Sequence, residues 1–214
     1  TFQTFLGNDK TKSKIDLSLL TILARYPTTR LNGCDRAFIL LSKYASENID
    51  NRKKIAEVIA FNDLFSKLIS FDSNNDEYHS LAYLVLSLLQ LDLNFESSIS
   101  NNLNFAILPT YIFDTTISED TRSLLSAILA SIVIFNKTLK GICASSAFIN
   151  ETTDAIRTAQ SSQLILWLLI LLKRSFSIMS ADFSCFYNAS SHLQIAVCLF
   201  HKMSEIRAAA TSAL

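Results

Sequence analysis

The run Arg122-Ser-Leu-Leu-Ser-Ala-Ile-Leu-Ala-Ser-Ile-Val133 decides the fold of this chain. Apolar residues recur through it at three- and four-residue spacing, and Glu119-Asp120 just upstream supply the negative charge that favours a helix N-terminus. Other helix openings, each followed by an apolar run, stand at a constant interval. His79 and Arg36 lie 43 and 86 residues before Arg122, Ile165 lies 43 after it, and Arg207 falls within a residue of the next multiple. Self-similarity at this period means that small groups of helices stack on one another, because no single group buries its apolar face alone.

Composition points the same way. Half of the 214 residues are apolar, yet only three are Gly and two are Pro, where ordinary usage would give roughly fifteen and ten. Sheet-rich folds need such residues to reverse the chain, and Asn32-Gly33-Cys34 is the one stretch resembling a hairpin turn. The expected fold is all-α: an armadillo/HEAT-like α-solenoid, a right-handed superhelix of about four to five repeats of roughly 43 residues.

Residues 1–14 are polar and read as a flexible lead-in, with the repeat domain spanning 15–214. In Ile15 to Ala24, Leu19, Ile22 and Leu23 share a helical face, and Pro27 ends that helix. Asp35 is placed to cap the next helix, which carries Phe38, Leu41 and Ala45, and a short helix follows from Arg52 to Ala60. Asn62 reads as the N-cap of a third helix, and the acidic turn Asp72 to Asp76 closes the unit. The second unit runs through Leu81 to Leu89, a short helix at Glu96 to Ser100, and Leu103 to Phe113, where Pro109 is expected to distort the helix. The third opens at Glu119-Asp120 and ends with Ile149 to Thr158. The fourth comprises Leu164 to Lys173, Phe183 to Tyr187 and Ser191 to His201. Glu205 to Leu214 opens a fifth unit, so the chain reads as a fragment of a larger protein, cut at its C-terminal end.

Little chemistry is on offer. With three His, no Gly-rich phosphate loop and no setting for a nucleophile elbow, an enzyme is the weakest reading, and no cofactor, metal or catalytic residue is predicted. His192 and His201 are nine apart, unlike the spacing that puts two ligands on one helix face, and read as surface residues. Cys34, Cys143, Cys185 and Cys198 form no metal or disulfide pattern and read as reduced, buried thiols. Glu119 and Asp120 read as complements of a helix dipole, and Trp167 as core packing. The motif Asn-X-Ser/Thr occurs at Asn136, Asn150 and Asn188, but such triplets carry little weight in a chain rich in these residues. Lys+Arg and Asp+Glu both number 19. The basic residues cluster only as Lys10-Lys12-Lys14 and Arg52-Lys53-Lys54, so no nucleic-acid footprint stands out.

A polytopic membrane protein is the rival suggested by the positive mean hydropathy. The apolar run Leu164 to Leu172 spans about 14 Å, half of a bilayer core of about 30 Å. The longer run Leu124 to Phe135 meets Asn136 and Lys137, and no integral membrane span is predicted. A repeated Lys, Arg or His at one solenoid position reads first as a structural ladder bonding the preceding turn. Arg36, His79, Arg122 and Arg207 are therefore only row candidates for partner binding.

Five segments, in order, resemble the armadillo region of the Raptor family, the regulatory scaffold subunits of the TOR kinase complex. They are Asp35-Arg-Ala-Phe-Ile-Leu-Leu-Ser-Lys-Tyr44, Ile59-Ala-Phe-Asn-Asp-Leu-Phe-Ser-Lys-Leu-Ile69, Arg122 to Val133, the position of Trp167, and Glu205-Ile-Arg-Ala-Ala-Ala-Thr-Ser-Ala-Leu214. Departures include Ile165-Leu166-Trp167 where that family has Arg-Gln-Trp, and Ser or Asn in place of most of its glycines and prolines. The resemblance implies a divergent member: a non-catalytic scaffold whose partners are the TOR kinase, its substrates and small GTPases. It would be cytoplasmic and peripheral at a lysosomal or vacuolar surface. The alternative is another armadillo/HEAT adaptor of the transport or trafficking type, which binds peptides or protein partners; the repeated Trp and Asn ladder usual in such adaptors is missing from a chain with one Trp.

Overall fold

The computed structural model describes residues 35–70, 76–91, 99–100, 103–178 and 191–214, and among them every regular element is helical. In chain order these are α1 (Asp35–Glu47), α2 (Ile49–Val58), α3 (Phe61–Ser70), α4 (Asp76–Leu89), a 3-10 helix (Leu103–Ile107), α5 (Leu108–Phe113), α6 (Glu119–Ile132), α7 (Lys137–Cys143), α8 (Ser146–Thr158), α9 (Ser162–Ile178), α10 (Ser191–Cys198) and α11 (Ser204–Ala213). The expected lead-in at 1–14, the helix at Ile15 to Ala24 and the Phe183 to Tyr187 segment lie outside the described residues, as do Cys34, Cys185 and most of the Asp72 to Asp76 turn.

The repeat is visible as two rows. The first helix of each unit packs on its counterpart in the next, giving the stack α1, α4, α6, α9, α11. The third helices make a second row: α3 meets the 3-10 helix, α5 meets α8, and α8 meets α10. Aromatic edges fasten this row, with Phe65 against Phe105 at 4.4 Å between ring centroids and Phe113 against Phe148 at 5.4 Å. Such edge-on pairs contribute about 0.5–1.5 kcal/mol beyond the area they bury. One continuous core runs between the rows and includes Phe38, Leu81, Ile128 and Leu172, each at most 2% exposed. The chain is an all-α solenoid, as its period predicts.

Polar joints repeat at the same interval. Arg52 donates to Gln90 (3.3 Å), Tyr111 to the Ile69 carbonyl (3.2 Å) and Asn136 to the Ile99 carbonyl (2.7 Å), while Gln160 N–H donates to Glu119 (3.0 Å). These pairs are separated by 38, 42, 37 and 41 residues, so each bond spans one unit.

Short polar residues start the helices in place of the scarce glycines. Asn48, Ser118, Asn136 and Ser145 each accept from a backbone N–H three residues on, filling an otherwise orphaned helix-end donor. Asn48 therefore starts α2 at Ile49, three residues before the expected Arg52, and the helix ends at Val58. The side chains of Asn51 and Arg52 then reach back to the carbonyls of Tyr44 and Ala45, closing the end of α1 (3.0 Å each).

Local details refine the sequence reading. Asn62 is not a cap, since α3 already begins at Phe61. Pro109 stands where the 3-10 helix Leu103–Ile107 gives way without a break to α5, so the expected helix from Leu103 to Phe113 forms and is distorted beside this residue. The segment Lys137–Cys143, for which no element is expected, forms α7, bent by 118° from α6 at their junction.

Candidate functional site

The four row candidates do not share one environment. Arg36 sits in the first turn of α1, its side chain outside the described set. His79, partly buried in the first turn of α4, has Nδ1 3.3 Å from Thr121 Oγ1, and Ser118 Oγ donates to the same hydroxyl (3.0 Å). Arg122 is only 5% exposed, and its Nε donates to the Ile112 carbonyl at the end of α5 (2.6 Å). Burial pulls its guanidinium below the usual arginine range, opposed by the nearby carboxylates of Glu119 and Asp114. Arg207 is exposed and donates to the carbonyls of His201 and Lys202 (2.9 Å each). Arg122 and Arg207 thus hold the turn before their own helices.

Glu119 does more than complement its own helix. Its carboxylate accepts the backbone N–H groups of Gln160 and Ser161, so the first residue of α6 holds the turn leading into the next unit's α9, whose own cap is Ser161, the Oγ of which accepts from Leu164 N–H (3.4 Å). Only the fold brings residues 41 and 42 apart together, and the sequence carried no local sign of it.

The first helices also carry a half-buried apolar line that the sequence reading did not single out. Leu40, Tyr83, Leu124, Trp167 and Ala209 are each partly exposed, lie on successive first helices and are spaced 43, 41, 43 and 42 residues apart. Trp167 packs against the margin of the core, not within it. The 43-residue register alone does not find this line, because between α4 and α6 the step is 41 and the register pairs Tyr83 with buried Ser126.

The line broadens on α9. Leu164, Leu168, Leu171 and Ser175 face the core, while Leu166, Trp167 and Ile170 are half-buried on the other side. Lys173 and Arg174 stand exposed one turn beyond. Residues 166, 170, 173 and 177 cluster on one side of a helix, with 167 and 174 along its border. A second apolar stripe, Leu193, Val197 and Phe200, lies open on α10 and the turn that follows it, Phe200 being 90% exposed.

Other side chains offer less. Burial pushes the Cys143 thiol up to about 12 and raises that of Cys198 as well. His192 is exposed, whereas His201 is partly buried and its Nδ1 accepts from Met203 N–H (3.1 Å). Among the described residues no three His, Cys, Asp or Glu side chains converge as metal ligands would. No single described helix is long and apolar enough to cross a membrane; only α6 and α7 together have the length and composition, and they bend by 118° at their junction.

No protein-family model matches the sequence, and no curated protein does. Solved structures match it in fold. A designed armadillo repeat protein superposes with a TM-score of 0.68 at 15% identity, covering 99% of this chain and 88% of that one. Computationally designed armadillo repeat proteins for modular peptide recognition give 0.66 at 15% identity, with 99% and 87% covered. Another designed armadillo repeat protein, solved in complex with the peptide (KR)4, gives 0.63 at 15% identity, with 99% and 87% covered. The chain therefore has the armadillo-type repeat fold.

Proposed function

We propose that this chain is a protein-interaction scaffold that takes a linear segment of a partner along its stacked first helices. The observation carrying this reading is the line Leu40, Tyr83, Leu124, Trp167 and Ala209, which presents one partly exposed apolar side chain per unit. A stack with one accessible anchor per repeat suits an extended ligand, whose own anchors meet successive units. Two of the similar designed armadillo proteins are described in terms of peptide recognition or a bound peptide, which supports the same kind of ligand here. Trp167 is the anchor with the largest apolar and aromatic surface.

The finer reading follows the five colinear segments: a divergent Raptor-like scaffold that recruits substrates and regulators to the TOR kinase, in the cytoplasm or at an organelle surface. A transport or trafficking adaptor uses the same surface with different partners. Crosslinking in cells through a photoreactive residue at position 124 or 166 tests both levels. Capture of protein partners that is lost in Trp167→Ala supports the scaffold, and the kinase or its substrates among them supports the Raptor-like assignment. Equal capture by the Trp167→Ala variant refutes the proposed surface.

A further inference from the structure

The stripe on α9 combines two chemistries at fixed separation. Leu166, Trp167 and Ile170 are partly exposed and apolar; Lys173 and Arg174, both exposed, follow on the same side. Seven residues of helix separate Trp167 from Arg174, about 10 Å along the axis. The sequence of α9, SQLILWLLILLKRSFSI, holds no carboxylate. Packed against it, α7 adds exposed Lys137 and Lys140 and also holds none. The counterparts of Lys173 and Arg174 one unit earlier, Ala130 and Ser131, are uncharged. Of the acids on the other helices packed against α9, Glu119 of α6 is taken by the N–H groups of Gln160 and Ser161, Asp154 of α8 by Arg157 at 3.1 Å and Glu205 of α11 by Ser204 Oγ at 3.1 Å, while Asp120 and Glu151 are exposed. No ion pair among the described residues engages Lys173 or Arg174.

We infer that the partner segment received by α9 is acidic: an apolar or aromatic side chain seats against Leu166, Trp167 and Ile170, and carboxylates about 10 Å away meet Lys173 and Arg174. This deepens the scaffold reading and rests on it. Charge complementarity selects the occupant, because a basic segment such as (KR)4, bound by the designed protein of similar fold, would set like charge against this end of the stripe. Nearly all of the selectivity is electrostatic and exposed, so it is modest and screened by salt.

The test uses fluorescein-labelled Ser-Leu-Phe-Leu-Ser-Glu-Glu-Glu-Ser, with two counterparts in which the three Glu are Gln or Lys, titrated with the 214-residue chain and followed by anisotropy. The expected order is Glu tighter than Gln by about tenfold and Lys weakest, a spread that collapses near 0.5 M salt. In Lys173→Glu/Arg174→Glu the order reverses; both positions are exposed, and an unchanged melting curve shows that the fold is kept. Equal affinity of all three peptides, lost in Trp167→Ala, overturns the acidic preference and leaves the scaffold reading standing. No binding of any peptide at millimolar concentration counts against both. Preference for a single-stranded oligonucleotide over the Glu peptide, or self-association of the chain through this face, also overturns the inference.

Discussion

Removing the carboxylate of Glu119 tests how one unit is locked to the next. In the native chain it accepts from Gln160 N–H at 3.0 and 3.1 Å and also from Ser161 N–H, placing one negative charge between the N-termini of α6 and α9. Hydrogen bonds to a charged acceptor contribute about 1.5–3 kcal/mol when sheltered. Gln160 is exposed and Ser161 half-buried, so solvent screening brings Glu119→Ala to about 1–2 kcal/mol. Glu119→Gln keeps one oxygen acceptor while losing the charge, and about half that loss is expected. Native-state hydrogen exchange reads the joint directly. The amides of Gln160 and Ser161 should exchange about five- to thirtyfold faster in the Ala variant, while amides in α1 and α2 stay unchanged, because a repeat array passes strain mainly to its neighbours. Unchanged protection at Gln160 and Ser161 would refute the assignment of Glu119 as the tether of the turn before α9; uniform loss across all helices would refute the locality argument.

Further outcomes follow from other contacts. Asn136 donates to the Ile99 carbonyl and accepts from Leu139 N–H, so Asn136→Ala should cost about 2–3 kcal/mol in urea unfolding and Asn136→Ser, which keeps a neutral capping oxygen, roughly half as much. The Cys143 thiol titrates at about 12 in the folded chain against a reference of 9.0. Its protonated form is favoured by folding, so its contribution is complete below pH 9 and is lost as pH rises from there towards 12; wild type should lose more stability over that interval than Cys143→Val. Native Cys143 should also resist alkylation at pH 8 until the chain unfolds. The chain has a single Trp, so intrinsic fluorescence reports on Trp167 alone: acrylamide should quench it in the free chain, and a bound Leu-Phe-Leu peptide should protect it. Quenching unaffected by a peptide that binds would place the ligand elsewhere.

The fold was legible because its cause is periodic: the interval from Arg36 through His79 and Arg122 recurs in the observed stack of first helices. Helix starts were less legible: Asn48, Ser118, Asn136 and Ser145 are ordinary in a chain rich in Asn and Ser, and Asn62 shows that a capping residue is no cap once a preceding Phe has joined the helix. The distortion at Pro109 was legible because a proline ring and its missing N–H disturb a helix interior, and the change from 3-10 to α geometry falls beside it. The site was harder. An apolar run such as Leu164 to Leu172 looks uniform, and only packing separates buried Leu168 from half-exposed Ile170. Glu119 was assigned to its own helix because its other partners arrive from the following unit.

The joints between units have a consequence for how the chain comes into being. Each of the inter-unit hydrogen bonds described above closes a segment of 37 to 42 residues, and the first-helix stack likewise joins consecutive units. Low contact order of this kind favours rapid assembly from local pieces. A unit can settle during synthesis as soon as its successor has emerged, without waiting for residues at the far end of the chain.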